Sequence, residues 1–244
     1  MLQYAMKTDV GDRPVNEDSV GCFEHNGNFC FVLCDGLGGH GMGDVASSVV
    51  RDDMGELFGV SSENCRGFIK KAFLHAQEKL LSEQEARKAE DKMKTTAVVL
   101  AADKKRAYIG HIGDSRLYIF SGGKASFRTH DHSVPQMLVN IGEIKESEIR
   151  NHPDRNLVLK VLGVQWDKDK TELEKPVSLK GCDAFLLCSD GFWELIEEDK
   201  MSETLKESSS PDEWLEKMTA IVRENGKDRN MDNYSAIAVM NSGK

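Results

Sequence analysis

Two continuously apolar runs in this chain stop at the same dipeptide, and that coincidence constrains the fold more than any other feature. Phe31-Val32-Leu33-Cys34 runs into Asp35-Gly36, and Phe185-Leu186-Leu187-Cys188-Ser189 runs into Asp190-Gly191. Strands that are apolar on both faces belong inside a layered structure, and each of these carries a carboxylate at its end. A third run, Tyr108-Ile109-Gly110-His111-Ile112-Gly113, ends in Asp114, while Glu17-Asp18 and Asp232-Asn233 flank strand-like segments near the two termini. Any one of these reads as an ordinary turn, because Asp and Gly favour turns for local backbone reasons. Together they predict that one rim of a β structure gathers several carboxylates.

The hydropathy pattern predicts strands at 29–34, 95–102, 106–112, 116–121, 184–188 and 234–241, with Gly122-Gly123 turning the fourth into a hairpin with 124–129. Neighbouring strands joined by tight turns indicate antiparallel sheets. Ala46, Val50, Met54 and Leu57 fall at helical spacing. A second stripe, Cys65, Phe68, Ile69, Ala72, Phe73, Ala76 and Leu80, follows Ser61-Ser62 as a cap. Ser210-Pro211-Asp212-Glu213 is a helix start with the elements of a capping box, Trp214, Leu215, Met218, Ile221 and Val222 form its buried face, and Gly226 is its stop. The expected fold is α+β, a two-layer β core covered by helices. No linker or repeat interrupts 1–244, so a single domain is expected. Six cysteines, at 22, 30, 34, 65, 182 and 188, include no Cys-x-x-Cys pair and are read as structural thiols.

A clustered set of carboxylates is unstable by itself. Two unit charges about 4 Å apart at an effective dielectric near 20 repel by about 4 kcal/mol, so cations or shifted protonation must answer them. The donor set lacks His and Cys at zinc spacing and suits the hard ions Mg²⁺ or Mn²⁺. Gly36, without a side chain, lets backbone approach an ion closely. Two bridged ions would lower the pKa of a shared water and supply the nucleophile for phosphoester hydrolysis. Arg13, in Gly11-Asp12-Arg13-Pro14-Val15-Asn16-Glu17-Asp18, offers the planar fork that matches two phosphate oxygens.

In this order and spacing the sequence resembles the metal-dependent Ser/Thr protein phosphatases of type 2C, in their bacterial branch. The pieces are Arg13-Pro14-Val15-Asn16-Glu17-Asp18, Asp35-Gly36-Leu37-Gly38-Gly39-His40, Thr95-Thr96, Gly113-Asp114-Ser115-Arg116, Asp131-His132-Ser133, Cys188-Ser189-Asp190-Gly191-Phe192-Trp193 and Asp232-Asn233-Tyr234-Ser235. The resemblance implies an antiparallel β-sandwich flanked by helix pairs, a four-layer αββα arrangement with a dinuclear Mn²⁺/Mg²⁺ centre at one end. It implies that Asp35 bridges the ions, that Asp190 and Asp232 complete one, and that Glu17 and the Gly36 carbonyl serve the other. Asp114 with Asp190 would match a weaker third site, Asp18 would orient the attacking water, and Arg13 would bind phosphate. The implied reaction is direct in-line attack of water on phosphoserine or phosphothreonine, without a phosphoenzyme.

Residues 140–156 would correspond to the family's mobile flap, although their polar composition equally fits a solvated loop. Leu37 stands where eukaryotic relatives carry a histidine proposed as general acid, and leucine has no proton to donate. Leaving-group protonation would then come from water on the metals or from another residue. His40 is nearby in sequence but more often structural in such a loop. Lys94 stands where the family often has glycine.

Two other readings stay open on sequence: a non-catalytic phosphoprotein-binding relative, and a metal-dependent phosphoesterase of another substrate. With 41 Asp and Glu against 32 Lys and Arg the net charge is −9, which opposes a nucleic-acid substrate or an anionic membrane. No apolar run approaches the roughly 18 residues of a membrane span, and the first residues lack a signal-peptide pattern. The expectation is a cytoplasmic monomer acting on phosphorylated proteins opposite a Ser/Thr kinase.

Overall fold

The computed structural model describes residues 2–37, 41–89, 92–168 and 170–242. Gly38, Gly39 and His40 of the glycine-rich motif lie outside the described residues. Two antiparallel sheets stack face to face. The first has the order β1 (Leu2–Asp9), β11 (Tyr234–Asn241), β10 (Ala184–Cys188), β6 (Arg116–Ser121), β7 (Lys124–Arg128). The second runs β2 (Asp18–His25), β3 (Asn28–Asp35), β4 (Ala97–Ala102), β5 (Arg106–Ile112), β8 (Glu172–Leu173), with β9 (Val177–Ser178) also pairing β5.

The strands with no alternating polarity are those with apolar neighbours on both sides. In β3, Phe31 and Leu33 face the other sheet, and Cys30, Val32 and Cys34 face helices α1 (Gly43–Val60) and α2 (Cys65–Arg87). In β10, Phe185 and Leu187 face the sandwich interior while Leu186 and Cys188 meet α5 (Glu198–Lys206) and α6 (Pro211–Gly226). Three apolar layers therefore separate four structural ones, and the αββα expectation holds. All six cysteines are free, and five are buried.

Local signals are modified in places. The α2 cap is Asn64, whose side chain accepts from Gly67 N, rather than Ser61-Ser62. Ser210 does cap α6, accepting from Glu213 N, but the Glu213 carboxylate reaches back one residue further, to Ser209. Strand β4 proper begins at Ala97, because Thr95 makes only isolated bridges to Gly36 and Leu162. Strands β1 and β2 receive no bounds from the hydropathy pattern because polar residues are mixed among their apolar ones without a regular period. Within the polar 140–156 stretch, α3 (Val134–Asn140) ends and a 3₁₀ turn (Glu146–Asn151) forms. That turn is pinned by buried Ile149 and by Arg150, which donates to Glu198 Oε1 at 2.8 Å and to the Trp193 carbonyl.

Candidate metal centre

The β2–β3 hairpin register places Asp18 directly opposite Asp35, so both carboxylates leave the sheet at the same end. The Asp35 peptide is clamped from the next strand: Thr96 Oγ1 accepts from Asp35 N at 3.1 Å, and Thr95 Oγ1 donates to Asp35 O at 2.8 Å. These bonds give the Thr95-Thr96 pair a positioning role. The next residue, Gly36, donates its N–H to Glu17 O at 3.0 Å. A Cβ there would collide with the Gly43 carbonyl at the start of α1 and lie 2.7 Å from Glu17 O. The site admits no side chain.

The other sheet supplies the remaining acids. Asp190 follows β10 and opens the short helix α4 (Asp190–Trp193), and Asp232 immediately precedes Asn233 and β11. Asn233 joins the halves: its Oδ1 accepts from Glu17 N at 2.8 Å, and its Nδ2 donates to Val10 O and Val15 O. Ser189 Oγ donates to Asp18 Oδ2 at 2.8 Å and accepts from Ser235 N at 2.9 Å. Asp18 Oδ1 is buried with no hydrogen-bond partner. The backbone carbonyl of Asp114, in the β5–β6 link, accepts from Trp193 Nε1 at 3.0 Å.

The charges acting on each carboxyl point to a shared volume. Burial, followed by the charges of Asp190, Asp18, Asp114 and Asp232, drives the Asp35 carboxyl well above the ordinary carboxylate range. Asp190 rises likewise through burial and then Asp114, Glu194, Asp232 and Asp18. Burial lifts Asp18 to about 6, and burial with Asp131 lifts Asp114 to about 7. Glu17 moves up through burial, Asp44 and Asp232. Six predicted acids thus meet at one rim. Arg13 is exposed there and pairs with Asp232 at 2.8 Å.

Several participants were not assigned from sequence. Ser189 and Asn233 stood in the quoted motifs beside ligand-type residues, and their value lies in hydrogen bonds that only the tertiary structure shows. Arg116 is buried, binds Asp131 bidentately at 2.8 and 2.7 Å, and lies 3.4 Å over the Trp193 ring. Arg155 and Arg229 border a 150 Å³ cavity with Arg13, Asp190, Glu194 and Asp232. A larger cavity of 1090 Å³ opens at the far end of the sandwich, near Phe29 and Lys104, and holds none of the six acids.

One more group of ligand-type residues, His111, His132 and Glu172, brings donor atoms within 4.8 Å. Gly113 N donates to His132 Nδ1 at 3.1 Å, so the ring proton sits on Nε2, facing Glu172 at 2.9 Å. That nitrogen is a donor here and leaves no lone pair for an ion.

The comparisons agree with this geometry. The sequence pattern of protein phosphatase 2C matches residues 10–234. A serine/threonine phosphatase, stp, of Listeria welshimeri is 31% identical over 217 residues, covering 86% of this chain and 85% of the relative. Protein phosphatase PhpP of Streptococcus pneumoniae is 30% identical over 204 residues, 80% of each chain. The crystal structure of serine/threonine phosphatase Stp1 from Staphylococcus aureus superposes with a TM-score of 0.91 at 27% identity, covering 100% of this chain and 96% of that one. Sequence, fold and rim chemistry converge, and the chain belongs to the protein phosphatase 2C family.

Proposed function

We propose that this chain hydrolyses phosphoserine and phosphothreonine in proteins at a centre of two divalent cations, Mn²⁺ or Mg²⁺, held by its carboxylate rim. The observation that carries this reading is the convergence of Asp18, Asp35, Asp114 and Asp190, each pushed up by desolvation and by acidic neighbours. Hard cations answer such a set. The buried, unpartnered Asp18 Oδ1 and the Gly36 cradle fit the same occupant.

In this reading Asp35, Asp190 and Asp232, with Glu17 and the Gly36 carbonyl, would hold the two ions, and Asp114 with Asp190 would hold a weaker third. Bound there, the ions supply a nucleophile at neutral pH and polarise a phosphoryl oxygen. Ser189 holds one oxygen of Asp18 at 2.8 Å, which leaves the other to accept from the attacking water and aim it. Arg13 commits one guanidinium nitrogen to Asp232 and keeps its remaining N–H groups for phosphate oxygens. Leu37 cannot protonate the leaving alkoxide, so that proton comes from water or from another side chain. Residues 140–156, whose last two residues Arg155 and Asn156 border the cavity, serve as the flap of a single catalytic domain 1–244.

We place the enzyme in the cytoplasm as a monomer opposing a Ser/Thr kinase. No helix among the described residues is long and apolar enough to cross a membrane. The test is phosphate release from a phosphothreonine peptide with Mn²⁺ and with chelator. Turnover is expected only with the ion, and is expected to vanish in Asp190→Ala. Metal-independent turnover, or equal turnover in the variant, overturns the proposal.

A further inference from the structure

The cavity beside the rim is ringed by three guanidinium groups. Arg13 is answered by Asp232 at 2.8 Å and Arg155 by Glu194 at 3.1 Å. Among the described residues, no carboxylate lies within the 4.0 Å ion-pair distance of Arg229. The exposed side chain therefore brings an uncompensated positive charge to the edge of the phosphate site, on a chain whose net charge is −9.

Its position is fixed by backbone. Arg229 N donates to Gly226 O at 3.0 Å, tying it to the end of α6, and Met231 N donates to Asp12 Oδ2 at 2.8 Å. The residues on either side, Asp228 and Asn230, adopt left-handed conformations with φ of 63° and 52°. Asp and Asn tolerate that region better than other side-chain residues, so the local sequence supports this loop shape. Three residues later Asp232 enters the rim, and Asn233 is anchored to Val10 and Val15. Arg229 thus presents its charge from a loop braced on both sides.

We propose that Arg229 is a substrate-reading residue: it binds an Asp or Glu carboxylate next to the phosphorylated residue, so that acidic phosphopeptides are preferred. This rests on the phosphatase reading above. The phosphate itself is occupied by the rim and Arg13, which leaves a neighbouring carboxylate as the anion that reaches Arg229.

The test compares kcat/KM for a phosphothreonine peptide with neutral flanks against peptides carrying Glu on the N-terminal side, on the C-terminal side, or Lys instead. The ratio of acidic to neutral is taken within each protein, so any change in total activity cancels. Intact protein should prefer the better acidic peptide by about 2- to 5-fold, the size of one solvent-exposed ion pair. That preference should fall as NaCl is raised. Arg229→Gln should bring the ratio to about 1, and Arg229→Glu should carry it below 1 and favour the Lys peptide. Turnover of the neutral-flank phosphothreonine peptide by the intact protein with Mn²⁺ separates the two readings. Its absence defeats the phosphatase proposal. Its presence, with no acidic preference or with a preference that Arg229→Gln and Arg229→Glu leave in place, overturns the role of Arg229.

Discussion

The metal-free protein should become more stable when Asp114 is replaced by asparagine. Asp114 is 4% exposed, and burial together with Asp131 raises its carboxyl from the usual 3.8 to about 7, against a partial opposing pull from Arg116. At 1.36 kcal/mol per pH unit, holding this carboxylate ionised in the fold costs about 4 kcal/mol. The sign follows from linkage. Below the unfolded value both states hold a neutral acid and no penalty exists. As pH rises toward the folded value the unfolded chain releases its proton first, so the penalty grows and is complete above about 7. Asparagine is neutral throughout and nearly the same shape, but its amide needs partners, which takes back about 1–2 kcal/mol. The net expectation is a gain of about 2 kcal/mol near pH 8, turning into a loss of about 1–2 kcal/mol near pH 4, where the penalty is gone and the amide cost remains. Urea unfolding with chelator present, at both pH values, measures it. A variant no more stable than wild type near pH 8, or a difference that ignores pH, refutes the reasoning. Added Mn²⁺ should raise the wild-type midpoint more than that of the variant, because the ion answers the charge that the variant lacks.

Three further outcomes are expected. Asp131→Ala removes both acceptors of the Arg116 fork and leaves a buried guanidinium, so a loss of about 3–5 kcal/mol is expected in urea; a loss under about 1 kcal/mol would show the pair to be structurally idle. Gly36→Ala drives a methyl into the Gly43 carbonyl, and both Mn²⁺ affinity and phosphatase rate should fall at least about tenfold, which calorimetry and kinetics would show. His132→Asn keeps an oxygen where Nδ1 accepts from Gly113 N, whereas His132→Gln does not; amide exchange at Gly113 should speed up in the second variant and stay slow in the first, and the reverse order would contradict the assigned tautomer.

The sequence showed the layers most clearly where burial was two-sided. Strands β3, β4 and β10 and helices α1, α2 and α6 could be read because their apolar residues recur at a period that backbone geometry imposes. Strands β1 and β2 mix polar and apolar residues without a regular period, and β8 and β9 are two residues each, too short for a period to exist. The six acids were legible as strand-terminal carboxylates, since a charge at the end of an apolar run stands out. Their supports were not. Asn233 and Ser189 act across 216 and 171 residues of chain, on Glu17 and Asp18, and no local pattern encodes a partner that distant. Arg116 looked like the tail of a motif until its fork was seen to close on Asp131.

The pairing of β1 with β11 ties the order of synthesis to the birth of the centre. The sheet bearing Asp18 and Asp35 has four of its strands by Ile112, and its hairpins can zip as they leave the ribosome. The opposite sheet cannot close so early: Leu2–Asp9 waits for Tyr234–Asn241, the strand it pairs with among the described residues, register by register from Leu2 with Asn241 to Asp9 with Tyr234. Until that late strand arrives, Asp232 and Asn233 have no place beside Glu17, and a nascent chain carries half a rim with no phosphatase to show for it. Closing the rim therefore depends on pairing the two strands that lie farthest apart in sequence among those described.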